Sequence, residues 1–208
     1  MTVVVSRLFD QFEDAEKAVV ELERMGISEQ AISLISSNDK GAHSHRIRDG
    51  QPTGREDKLG EDVGIGVGLG AMAGGAGGLL AGLGALTIPG FGPVIAAGWL
   101  AATAAGAVGG ALVGGGVGGL IGSLAEAGMS EDDAHVYAEG VRRGSTLVSA
   151  KVPDELAQSA EVLLDSLNGV RAGPRGRQFR EDGWAPSYET NARKATASDP
   201  DHPNIPRA

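Results

Sequence analysis

One stretch of this chain limits what it can fold into more than any other: from Val63 to Ala125 it carries no charge, and it is bounded by Asp62 and Glu126. Within it Gly66, Gly70, Gly74, Gly78 and Gly82 recur every fourth residue. After Pro89, Gly90, Phe91, Gly92 and Pro93, glycines resume as Gly98, Gly106, Gly110, Gly114, Gly118 and Gly122. Residues four apart share one face of a helix, so each half would present a groove without side chains, against which another helix packs closely. The stretch is therefore expected to be a glycine-zipper helical hairpin, Val63 to about Ile88 and Val94 to Ala125, turning at Pro89–Pro93.

Such helices would be roughly 39 and 48 Å long at 1.5 Å per residue. Either length is enough to cross a hydrocarbon layer of about 30 Å. In water, each exposed helical glycine costs about 1 kcal/mol relative to alanine. The hairpin therefore calls for a bilayer, or for a tightly packed helical assembly that shields its backbone. The turn is uncharged whereas the flanks carry Lys58, Glu61, Asp62 and Glu126, which favours both ends on the cytoplasmic side of the inner membrane. Trp99 suits an interfacial anchor or a core position equally.

The remainder is polar, and the mean hydropathy of −0.06 averages the two parts. A net charge of −9 argues against nucleic acid as a partner, because that requires clustered Lys and Arg. With no cysteine, disulfides, thiolate metal sites and a Cys nucleophile are excluded. Met1–Arg7 reads as a β-branched strand without the basic and apolar regions of a signal peptide, so the polar parts are expected in the cytoplasm.

Along residues 1–37, Val3–Phe9 reads as a strand, and Ala15, Ala18, Val19, Leu22 and Met25 mark a helix over Glu13–Met25 that Gly26 terminates. Ala31–Ser36 reads as a second strand, and residues 38–62 as a polar linker. In residues 126–172, Ser130-Glu131-Asp132-Asp133 starts a helix that ends near Gly144, and Thr146–Val152 is a third strand. Pro153-Asp154 opens another helix, closed by Asn168-Gly169, and Val170–Ala172 is a candidate fourth strand. Two β-α-β halves of this kind predict an α+β, ferredoxin-like module with helices on one face, interrupted by the zipper hairpin. Residues 173–208 hold five prolines and little apolar periodicity, so a disordered tail is expected.

The chain resembles a bacterial general-stress-protein family, the general stress protein 17M-like or heat-induced stress protein domain. The resemblance runs from about Thr2 to Ala172 and rests on Leu8-Phe9-Asp10, on Ile88–Gly98 (IPGFGPVIAAG) and on Tyr137–Gly144 (YAEGVRRG). It implies stress association and no enzymatic activity, and it brings no catalytic residue.

Other residue patterns are weaker. The GxG elements of Gly64–Gly70 lack the strand, GxGxxG turn and acidic partner of a nucleotide site. His43 and His45 with Asp39 and Asp49 are metal-compatible but read as a solvated linker. Glu131, Asp132 and Asp133 suit the positive end of a helix dipole, and Arg142 and Arg143 the negative end. No GxSxG motif occurs, and no catalytic residue, cofactor or metal is assigned. The expected function is a non-enzymatic stress-response protein that associates with membrane lipid and with itself through the zipper. The alternative is a soluble oligomeric assembly module with the hairpin buried between subunits.

Overall fold

The computed structural model describes residues 1–38, 84–88, 92–101 and 117–186. Its first element, β1 (Thr2–Phe9), leads into α1 (Phe12–Arg24), where Ala15, Ala18, Val19 and Leu22 recur at helical spacing and are buried. Gly26 stops this helix at φ +89°, a conformation that glycine adopts without strain. A short 3-10 turn, Glu29–Ala31, precedes β2 (Ile32–Ser37), which is buried along its whole length. Then come β3 (Gly84–Ile88) and β4 (Gly92–Gly98). The chain continues through α2 (Val117–Glu126), α3 (Glu131–Arg142), β5 (Thr146–Pro153), α4 (Asp154–Ser166) and α5 (Ala172–Glu181).

The five strands form one antiparallel sheet in the order β1-β5-β2-β4-β3. Side chains alternate across it, so each strand feeds two separate cores. On one face Val5, Phe9, Ile32, Leu34, Ile95 and Val148 meet α1 and α4. On the other, Leu8, Ile35, Val94, Ala96 and Leu147 meet α2, α3 and α5. Fully burying one such Leu or Ile contributes about 1.5–3 kcal/mol. The expectation of helices on one face is thus corrected. A sheet whose successive residues are apolar on both sides must be covered on both sides.

The helical hairpin is also corrected where the chain is described. Gly84–Ile88 and Gly92–Gly98 are paired strands, so the first helix does not reach Ile88 and the second does not begin at Val94. Three factors favour the strand. Thr87, Ile88, Val94 and Ile95 are β-branched, Pro93 cannot continue a helix, and β2 offers β4 a backbone edge. Val117–Glu126 is helical, as expected for the end of the second half. Gly66, Gly70, Gly74, Gly78, Gly82, Gly106, Gly110 and Gly114 lie outside the described residues, as do Pro89, Gly90 and Phe91 of the turn.

The C-terminal expectations change too. Val170 makes a single bridge to Leu8 rather than a strand. Ala172–Glu181 is a helix rather than the start of a disordered tail, burying Ala172, Arg175, Gly176 and Phe179. Pro174 lies in its first turn, where a missing N–H costs nothing.

Candidate association site at the glycine-rich sheet edge

The glycine block joins the body at the β2–β4 seam. Ser33 Oγ donates to Ala97 O at 2.8 Å and accepts from the Leu100 N–H at 3.2 Å, tying the end of β4 to β2. Gly98 sits there at φ +82°, and a Cβ on it would fall 2.8 Å from Ser33 Cα. Gly98 is therefore required, but for a sharp exit from a strand rather than for helix packing. Lateral hydroxyl pairs, Ser6 with Ser149 and Ser36 with Thr146, each 2.8 Å, satisfy buried polar atoms along the sheet.

Of the other proposed packing glycines, Gly118 and Gly122 lie on the exposed side of α2 with nothing within 4 Å of a Cβ. The same helix buries Leu120 and Leu124. Gly92 and Pro93, expected in the turn, are the first two residues of β4. Trp99 is half-buried, with Lys151 Nζ 4.0 Å from its ring centroid.

Close backbone approach is used elsewhere. Gly140 of α3 sits against Leu8 of β1, and a Cβ at Gly176 of α5 would be 2.9 Å from Val136 Cγ2. A Cβ at Gly169 would meet Arg7 Cβ at 2.9 Å. Gly169 belongs to the Asn168-Gly169 helix stop, and Gly140 to the string Tyr137–Gly144. That string is a structural hub. Tyr137 Oη donates to Ser6 O at 2.8 Å and accepts from the Ala172 N–H at 3.2 Å. Burial pushes this phenol up to about 12.

Glu139, buried, accepts from Arg142 Nε at 2.7 Å and from Arg143 Nε at 2.6 Å. Burial raises its carboxyl, but the two arginines outweigh that and hold it below its ordinary value. Arg143 also stacks over Phe179, 4.3 Å from the ring centroid, and reaches Asp182 at 2.8 Å. Ser130 Oγ accepts from the Asp133 N–H, so the acidic run opens α3 as a cap.

No local motif marks Arg7, but Val3, Val5, Arg7 and Phe9 alternate and so point Arg7 inward. Its side chain is 5% exposed and donates through Nε to Asp165 Oδ1 at 2.5 Å. That bond, joined by Arg171, holds the Asp165 carboxyl below its ordinary value. Arg175, likewise unmarked, donates to Asp10 at 2.7 Å and pins α5 to the end of β1. Each of these pairs joins the N-terminal strand region to the C-terminal helices, so no local motif marks either arginine.

These charged groups are paired within the fold, although Arg7 Nη2 and Arg175 Nε are buried without a hydrogen-bond partner among the described residues. On α1, Glu13, Glu16, Lys17, Val20, Glu21 and Arg24 line a shallow, solvent-open depression. Among the described residues no group of three or more His, Cys, Asp or Glu side chains is placed to hold a metal. The histidines His43 and His45, with Asp39 and Asp49, and the Gly64–Gly70 elements lie outside the described residues. Among the described helices none is long and apolar enough to cross a membrane. Comparison with known proteins finds no matching family model, no matching curated protein and no matching solved structure.

Proposed function

We propose that this chain is a non-enzymatic assembly module, an α+β body of ferredoxin-like order that self-associates through its glycine-rich block without crossing a bilayer. The ferredoxin-like reading is supported by two interleaved crossovers. β5 lies between β1 and β2, and β1 lies between β5 and the Val170 bridge, with α1 and α4 on one face. In this reading the β3–β4 hairpin is an addition outside β2. The stress association comes from the resemblance carried by Ile88–Gly98 and Tyr137–Gly144.

The observation that carries the assembly reading is that β3 and β4 share one sheet with β2. The interval between Ser37 and Gly84 thus leaves and rejoins the same body. A helix over Val63–Leu83 would be about 31 Å long. If it crossed a bilayer, residues 39–62 would have to cross back carrying Arg46, Arg48, Asp49, Arg55, Glu56, Asp57 and Lys58. Each such charge costs about 2.5–3.5 kcal/mol at the bilayer centre, so two crossings are strongly disfavoured. Burial between subunits meets the need of the glycine backbone for shielding at no such cost.

A second reading, peripheral attachment to lipid, is favoured by the uncharged run itself. Two measurements separate them. Sedimentation of the full chain without detergent is expected to give a homogeneous oligomer, which Gly74→Leu or Gly110→Leu dissociates or misassembles. A monomer in solution, with the protein pelleting with membranes and resisting a carbonate wash, would overturn the assembly reading.

A further inference from the structure

We propose that the outer edge of β3 is a self-association surface on which β3 of a second copy pairs antiparallel, centred on Leu86. This rests on the assembly reading above and names its contact.

The backbone identifies which groups are offered. Asn38 N–H donates to Pro93 O at 2.8 Å, so Pro93 turns its carbonyl toward β2. N–H and C=O of one residue leave a strand on the same side and alternate along it. Pro93, Ile95 and Ala97 therefore bond toward β2, whereas Val94 and Ala96 bond toward β3. Their partners in register are Leu86 and Gly84. Gly84, Leu86 and Ile88 thus spend their backbone groups on β4, and Ala85 and Thr87 direct theirs outward, where among the described residues nothing pairs with them.

Those outward groups complement themselves. In an antiparallel pair centred on Leu86, Ala85 faces Thr87 of the second copy and Thr87 faces its Ala85, so every outward group of β3 is used. Centring one residue later would set Ala85 against Pro89, which has no N–H. That later register is therefore disfavoured.

The two sheet edges also differ in protection. At β1, Leu8 exchanges both backbone bonds with Val170, at 3.0 and 2.8 Å, and the outward carbonyl of Ser6 accepts from Tyr137 Oη at 2.8 Å. Edge strands are commonly guarded by charge, proline or a bulge. β3, Gly-Ala-Leu-Thr-Ile, has neither charge nor proline, and its register with β4 runs one to one without a bulge. Charge selects the partner as well. Two copies of a chain of net charge −9 repel, and β3 sits inside the Val63–Ala125 stretch, where neither copy carries charge.

The absence of cysteine makes the test clean. Directly opposed residues in a non-hydrogen-bonded antiparallel pair have Cα atoms about 4.5 Å apart, within the range of a disulfide. Leu86→Cys in the full chain is expected to give a disulfide-linked dimer on mild oxidation. Gly84→Cys and Ile88→Cys place the two thiols about 14 Å apart along the strands and are expected to stay reduced. Thr87→Pro removes an outward donor without touching the β3–β4 ladder, and should raise the dissociation constant about tenfold or more while circular dichroism is unchanged.

Equal cross-linking at all three positions, or none at Leu86→Cys in a chain that still oligomerises, would overturn the proposal and leave glycine-mediated assembly standing. A wild-type monomer, with Leu86→Cys remaining a free thiol, would remove both. If Thr87→Pro fails to fold, the cysteine series decides alone.

Discussion

Leu8 of β1 occupies the space that a side chain at Gly140 of α3 would need: a Cβ built there overlaps Leu8 Cδ1, with Cδ2 at 2.8 Å. The helix therefore lies directly on the strand, and the contact sets the spacing of the second core. Gly140→Ala is expected to destabilise the fold by about 1–3 kcal/mol through overpacking. Gly122→Ala, in open space on α2, should instead gain up to about 1 kcal/mol from helix propensity. Denaturant unfolding of the two variants gives opposite signs if this packing is right, and adding Leu8→Ala should relieve part of the Gly140→Ala cost.

Tyr137 links β1, α3 and the start of α5 through one hydroxyl. Its folded-state value of about 12 lies above the ordinary 10.0, so the folded protein keeps a proton that the unfolded chain loses. Stability from this group is complete below pH 10 and declines as pH rises toward 12. The loss is on the order of 1.4 kcal/mol per pH unit across that window. Tyr137→Phe should remove this slope, while costing about 1–2 kcal/mol at neutral pH because the Ala172 N–H loses its partner. Unfolding midpoints from pH 8 to 12 check both.

At the acid end Glu139 and Asp165 behave oppositely to Tyr137. Both carboxyls are held below their ordinary values of 4.5 and 3.8. The stability they confer is present above those values and is lost as pH falls through the lower, folded-state ones. Glu139→Gln is expected to flatten the acid limb of the stability profile and to loosen Arg143 from Phe179. Urea midpoints between pH 6 and pH 2 measure the first effect, and fluorescence of Trp184, whose ring is 6.0 Å from Phe179, follows the second.

Arg7 is a buried cation whose closest carboxylate is Asp165. Asp165→Ala should cost about 1–3 kcal/mol, because it leaves the buried Arg7 guanidinium short of an acceptor although Asp165 itself is exposed. Arg7→Met, which removes the buried charge and retains much of the volume, should cost less. A larger loss from Arg7→Met than from Asp165→Ala, read in the same unfolding assay, would contradict the ordering.

How much of this was legible beforehand follows from the range of the interactions. β1, α1, β5 and α4 are marked by period-two or helical alternation together with punctuation within a few residues. Gly26 and Asn168 in left-handed conformations and the Ser130 cap sit within a residue or two of where the sequence places them. Amphipathic pattern records burial directly, so these elements needed no knowledge of partners. The sequence does not mark α5, because its buried face mixes Phe179 with Arg175 and Gly176. Burial of those two depends on Asp10 and Val136 rather than on hydrophobicity.

The uncharged block shows where local reading stops. Glycine has no side chain, so a glycine at every fourth position states where the chain can be approached closely, not what approaches it. By itself the sequence determined the strand–helix–strand halves, the absence of charge over Val63–Ala125 and the positions able to accept a near neighbour. Tertiary structure alone decided that Gly84–Ile88 and Gly92–Gly98 join the sheet, because β2 has a second edge whose backbone groups must be paired once buried. It also decided that, among the described residues, a close helix contact falls at Gly140, where Leu8 arrives from the first strand at the other end of the chain.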